Sequence, residues 1–182
     1  YLKNNAKSEA LNAFKNVSEL DFNKEIQKDA FLNYAKLSYE LGNAYTSVPE
    51  VLTAYLEKYP TSAEANEIGS LLIGAYLAEK NYEKALLLLE GSKSYDDKKS
   101  YQKVAYSYAV ELFKENKLNE AKNYFSKSIS QPLDKTILAK AKFWFAEIDY
   151  LQGNYTNAIV GFKQFKGLSA ARSTPEFKDL AY

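Results

Sequence analysis

Residues 151–162 read "LQGNYTNAIVGF", and four of them, Gly153, Tyr155, Ala158 and Phe162, set the frame for the whole chain. A glycine two residues before an aromatic supplies the positive φ that ends one helix and turns the chain back. A small residue three positions on lets a second helix approach the first, and the aromatic four beyond it fills the adjacent gap. Turn, wedge, small contact and filler together describe one antiparallel helix pair. Related pairs stand upstream: Ala121 with Phe125, Ala85 with Leu89, Val48 with Leu52, and Ala10 with Phe14. From Ala10 to Ala158 their first members are 38, 37, 36 and 37 residues apart. Self-similarity at this period marks an array in which each unit is one helix pair and neighbouring units share a core.

The first helices fit the same frame. In "LAKAKFWFAEIDYLQ", residues 138–152, Ala141, Phe145 and Ile148 recur at helical spacing. Gly42, Asn116 and Gly153 occupy the turn slot in three units, and Lys80 followed by Asn81 occupies it in the fourth. Ala35, Ala109 and Ala146 are the small contacts of three first helices, with Ile73 as the equivalent position in the remaining one. Ser47 with Glu50, Thr61 with Glu64, and Ser173 with Glu176 have capping-box spacing. Pro60 and Pro132 fall between units, where a residue without an N–H punctuates the chain, and "EGSKSYDDKKS" (90–100) reads as a longer inter-repeat turn. The expected organisation is a single array of units at about 24–60, 61–97, 98–133 and 134–170, with a partial unit at 1–23 and the start of another at 171–182. Tyr1 and the closing "STPEFKDLAY" suggest a fragment of a longer protein, with any leader or further domain beyond it.

Composition narrows the function classes. Lys+Arg number 24 against 23 Asp+Glu, so the net charge of +1 generates no field that draws the chain to nucleic acid or an anionic membrane. Arg172 is the one arginine, which leaves little means of gripping a phosphate bidentately. Cys and His are both absent, removing thiol nucleophiles, histidine bases and Cys/His zinc sites. No Walker loop or dinucleotide fingerprint occurs. The acids Asp96 with Asp97, and Glu147 with Asp149, are too close along a helix to converge as an acid–base pair. The longest mostly apolar run, "LLIGAYLA" at 71–78, is too short to span a bilayer. These residues argue against an enzyme and call for no cofactor or metal.

The motifs resemble tetratricopeptide repeats. Ala146, Gly153, Tyr155, Ala158 and Phe162, and again Ala109, Ala121, Phe125 and Pro132, echo the family pattern of W-x2-L-G-x2-Y, A-x3-F and P. Departures are the Lys142 at the usual tryptophan position, with Trp144 two residues on, and the long period. Sel1-like repeats share that period but usually carry extra turn glycines, which "LQGNYTN", "ENKLNEA" and "EKNYEKA" lack. The resemblance implies an all-α, right-handed superhelical solenoid of antiparallel helix pairs whose concave groove binds a protein or peptide. "KFWFAEIDYLQGNYTNAIVGF" and "YLEKYPTSAEANEI" further resemble units of bacterial cell-envelope proteins, such as the Tol-Pal accessory protein and outer-membrane assembly lipoproteins. That implies a periplasmic or outer-membrane-associated setting in a Gram-negative bacterium.

Carried over residue by residue, the family's groove positions lie at offsets −3, −2, +1 and +4 from each small residue. They give Phe143, Trp144, Glu147 and Tyr150 around Ala146, and Tyr106, Ser107, Val110 and Phe113 around Ala109. Around Ala35 they give Leu32, Asn33, Lys36 and Tyr39, and around Ile73 they give Ser70, Leu71, Gly74 and Leu77. The principal candidates are Lys36, Tyr39, Tyr106, Phe113, Phe143, Trp144, Glu147 and Tyr150, an aromatic and aliphatic surface suited to a peptide with apolar side chains. Aromatics in a helix array also serve as packing between repeats, and lysines such as Lys103, Lys114 and Lys140 read as a solvated face. The alternatives are a regulatory or oligomerisation module of a larger catalytic or signalling protein, and a self-associating spacer.

Overall fold

The computed structural model describes residues 6–91 and 94–179, and every regular element among them is helical. The chain forms two compact units, Tyr1–Leu88 and Leu89–Tyr182. The division falls inside the unit expected over 61–97.

The first unit contains α1 (Lys7–Glu19), α2 (Lys24–Leu41), α3 (Val48–Lys58) and α4 (Ala65–Ala78), with α5 (Tyr82–Leu89) following a tight turn and its last residue falling in the second unit. Its core gathers Ala10, Tyr34, Ala35, Val51, Leu52, Tyr55, Ile68 and Leu72. Phe31 of α2 meets both Tyr55 and Tyr59 of α3, with ring centroids 5.5 and 6.2 Å apart. The second unit contains α6 (Tyr95–Lys114), α7 (Leu118–Ile129), α8 (Lys135–Leu151) and α9 (Tyr155–Lys166), then a 3-10 segment Ser169–Ser173 and α10 (Pro175–Asp179). Here Phe143 near the middle of α8 meets Phe165 at 5.3 Å near the end of α9, while Tyr150 at the end of α8 meets Tyr155 at 5.7 Å at the start of α9. Only antiparallel helices bring those positions together. The described residues thus form an all-α, tetratricopeptide-like fold of helix pairs.

The turns carry the expected conformations. Gly42 and Gly153 take φ of 77° and 78°, and Asn116 and Lys80 take the same region at 60° and 56°. Lys80 therefore adopts the left-handed backbone itself, a conformation costing a β-carbon-bearing residue about 1–2 kcal/mol. Asn81 N–H then bonds to Tyr76 carbonyl at 2.8 Å and closes the turn.

Four local expectations give way to other arrangements. Helices α5, α7 and α9 begin two residues after the positive-φ position, but α3 begins six residues after Gly42. Asn43 orders the added residues: its amide donates to Tyr34 Oη (2.7 Å) and Ser38 Oγ (3.1 Å), and its oxygen accepts from the N–H of Tyr45 and Thr46. The Ser47–Glu50 capping box forms, so Val48 starts α3 and is only partly buried, while Val51, Leu52 and Tyr55 are buried there. Residues 95–100 are not turn but the start of α6, because Ser94 caps it by accepting from Asp97 N–H while Asp96 and Asp97 suit the positive helix end. Thr61 caps nothing: Ser62 and Ala65 N–H groups bond back to the Tyr59 and Ser62 carbonyls, delaying α4 to Ala65. Ser173 likewise donates its hydroxyl to Ala170 carbonyl at 2.9 Å, and α10 starts at Pro175.

The closest helix approach also differs in detail. Ala158 is buried, yet the tight contact to Ala146 is made by Gly161, where an added Cβ would lie 2.6 Å from the Ala146 Cβ. Across α6 and α7 the space is instead filled by Tyr108 and Tyr124, with centroids 4.5 Å apart.

Candidate functional site

Each unit presents a face built from neighbouring first helices, and the two faces differ in content. In the first unit, α2 and α4 meet through Lys36 Nζ and Glu67 Oε2, 2.8 Å apart. Lys36 is thus engaged by this chain's own carboxylate. Tyr39 is 41% exposed, but its hydroxyl lies where a Cβ on Gly74 would stand, 2.6 Å away, so its ring end rests on the α4 backbone.

In the second unit α6 and α8 meet through rings. The Phe113 and Trp144 centroids are 5.0 Å apart, and both residues are partly buried. Tyr106 packs against Phe125 of α7 at 5.8 Å and leaves its hydroxyl near Trp144 and Glu176. Burial pushes that hydroxyl up to about 12, the Glu176 charge adding to the shift and the Trp144 indole N–H opposing it. Glu147 follows Trp144 at i+3, hence on the same side of α8. Its carboxyl is half-buried, and desolvation raises its pKa above the usual glutamate value.

Phe143 does not belong to this face. It is 6% exposed and packs on Phe162 and Phe165 of α9, because Ala139, Phe143 and Ala146 recur at i, i+4 and i+7 as the buried stripe of α8. Tyr150 is 53% exposed but sits over the α8–α9 turn beside Tyr155. Tyr106, Phe113, Trp144 and Glu147 are therefore the candidates brought together, while Lys36 and Tyr39 lie on the first unit's face. Position Ile73 is only partly buried, whereas Ala35, Ala109 and Ala146 are at most 1% exposed, so offsets counted from it rest on a looser contact.

Glu176, on α10, is the acid whose charge acts on the Tyr106 hydroxyl. Its spacing from Ser173 suits a helix cap, but it is 8% exposed, with Oε2 making no hydrogen bond. Asp149 has the opposite fate from Glu147: it is 3% exposed and pairs at 2.5 Å with Lys122 of α7, itself over the Phe145 ring. The two acids face different ways, and Asp149 ties α7 to α8.

No protein-family model and no curated protein matches the sequence. Among solved structures the chain is similar to a crystal structure of MamA, at 18% identity and TM-score 0.46 over 99% of this chain and 94% of that one. It is also similar to MamA AMB-1, at 20% identity and TM-score 0.45 over 91% and 84% of the two chains. A third similarity is to nearly identical TPR-like repeats of a kinesin light chain candidate from Podosopora anserina, at 14% identity and TM-score 0.43, covering 95% of this chain and 91% of that one. Among the described residues no helix is long and apolar enough to cross a membrane.

Proposed function

We propose that the chain is a non-enzymatic protein-binding scaffold that holds a peptide segment of a partner against the α6–α8 face of its second unit. The observation that carries this reading is Trp144, a partly buried tryptophan set between Phe113, Tyr106 and Glu147 on adjacent first helices. A large rigid ring with one polar edge anchors a bound segment at small entropic cost, and its neighbours exclude water around it. Selection of random displayed peptides on the immobilised chain tests this, with Trp144→Ala as the control. Peptides retained by the parent and released by the variant, at unchanged helical circular dichroism, are the expected result. Peptides that bind both equally would overturn the proposal.

The junction "YPTSAEA" and the helix "FWFAEIDYLQGNY" support a bacterial cell-envelope assembly as the setting. Fractionation of cells expressing the parent protein tests it, and recovery in the cytosol alone would count against it.

A further inference from the structure

The two helix pairs of the second unit put different side chains at one equivalent place. On α6 and α7 it is filled: Tyr108 meets Tyr124 with centroids 4.5 Å apart, and Lys127 Nζ lies 4.8 Å from the centre of the Tyr124 ring. One period of 37 residues on, the same positions on α8 and α9 are Phe145 and Gly161. Phe145 meets no other ring among the described residues. Beside it α7, α8 and α9 border a cleft of about 410 Å³, lined also by Ile129, Val160 and Gly161. That is within the size range of ligand sites. The chain cannot fill it from Gly161, where a Cβ would lie 2.6 Å from the Ala146 Cβ. The rest of the cleft is cationic. Of its three charged side chains, Lys122 and Asp149 cancel at 2.5 Å, with Lys122 Nζ 4.9 Å from the centre of the Phe145 ring. The third, Lys142, reaches only the neutral Gln164 side chain at 3.1 Å and makes no ion pair among the described residues.

We infer that the cleft receives an aromatic side chain of a partner protein, seated against Phe145 and Val160 beside Gly161, with an adjacent acidic residue of that partner reaching Lys142. The ring is the occupant the chain itself uses at the equivalent place, where Tyr124 meets Tyr108. Ring contact adds to the burial of apolar area, and Val160, 50% exposed, offers such area at the rim. The acid follows from charge, since Lys142 is the cation of the cleft without an anion. Lys142, Phe145 and Asp149 stand at i, i+3 and i+7. At about 100° per residue, they lie on the opposite side of α8 from Trp144 and Glu147. This second seat is therefore separate from the α6–α8 face, and either can stand without the other.

The test titrates the isotopically labelled chain with short capped Gly/Ser peptides that differ only at two central residues, Tyr-Glu, Leu-Glu or Tyr-Gln. Amide resonances of Val160 and Gly161 report on the cleft. The Tyr-Glu peptide should shift them saturably, about tenfold tighter than Leu-Glu and about threefold tighter than Tyr-Gln. Lys142→Gln should abolish the preference for Glu over Gln, and Val160→Arg should abolish binding, while Trp144→Ala should leave both unchanged. Val160 and Asn157 are exposed, so Asn157→Arg serves as the blocking variant if Val160→Arg does not fold. Unmoved cleft amides up to about 5 mM Tyr-Glu peptide would overturn the inference, as would equal binding of Leu-Glu or binding that survives the blocking variant. Equal affinity for Tyr-Glu and Tyr-Gln would overturn the acidic part. Loss of the shifts in Trp144→Ala would place the peptide on the other face and overturn the second seat.

Discussion

The two first-helix faces are made by the same kind of element yet are finished differently. On α2 and α4 the contact is an ion pair, Lys36 with Glu67, and the Tyr39 ring end rests on Gly74. On α6 and α8 the contact is made by rings, Phe113 with Trp144, and the half-buried Glu147 makes no ion pair among the described residues. Equal structural duty would not require that difference.

The largest effect that could break this comparison is on binding. Trp144→Ala should weaken a selected peptide by about 2 kcal/mol, or roughly thirtyfold, in a fluorescence-independent assay such as calorimetry, whereas Lys36→Ala and Tyr39→Ala should change it less than twofold. Equal losses on the two faces would erase the distinction drawn here.

Gly→Ala substitutions in the helices give the next largest contrast. Gly161→Ala places a Cβ 2.6 Å from Ala146 Cβ, which cannot swing aside, so overpacking of about 1–3 kcal/mol should outweigh the helix-propensity gain and lower Tm. Gly74→Ala meets only the Tyr39 ring end, 41% exposed and able to move, so the gain of up to about 1 kcal/mol should prevail and raise Tm. Thermal unfolding of both variants checks the opposite signs.

Titration sharpens the comparison further. Tyr106 has a folded-state pKa raised to about 12, from an unfolded value of 10.0, so its proton favours the fold. The stabilisation is fully present below pH 10 and should fade as pH climbs towards about 12, a slope that Tyr106→Phe removes in denaturant melts. Glu147 is also raised, which means its protonated form favours the fold and its ionisation at neutral pH works against it. Glu147→Gln should therefore raise Tm slightly at pH 7 and hardly at all in acid below the glutamate range. The smallest effect belongs to Lys36→Met, for an exposed pair of this kind contributes at most about 1 kcal/mol.

The helix pairs and their turns were legible because they depend on local chemistry. Gly42, Gly153 and Asn116 are residues that tolerate positive φ, and even the Lys80–Asn81 turn could be placed by period. The Asn43 loop was not, because its amide bonds to Tyr34 and Ser38, one and more turns earlier on α2, and spacing alone does not reveal such a tie. The start of α6 at Tyr95 was hidden by a polar composition that suits a helix beginning as well as a turn. Of the site, Trp144, Phe113 and Glu147 could be found by offset from an alanine. Phe143 shows the limit of that method, since the neighbouring α9 rings decide which side of a helix is covered. Glu176 had a visible signal, an acid three residues after a serine, but Ser173 bonds back to the Ala170 carbonyl and caps no helix.

Lys80 leaves one more consequence. A peptide bond frame that its own side chain resists should open more readily than its counterpart at Gly153, so amide protons around residues 79–82 should exchange with solvent ahead of those around 152–155. Lys80→Gly should close that gap by about 1 kcal/mol, giving this bend the backbone freedom of the one at Gly153.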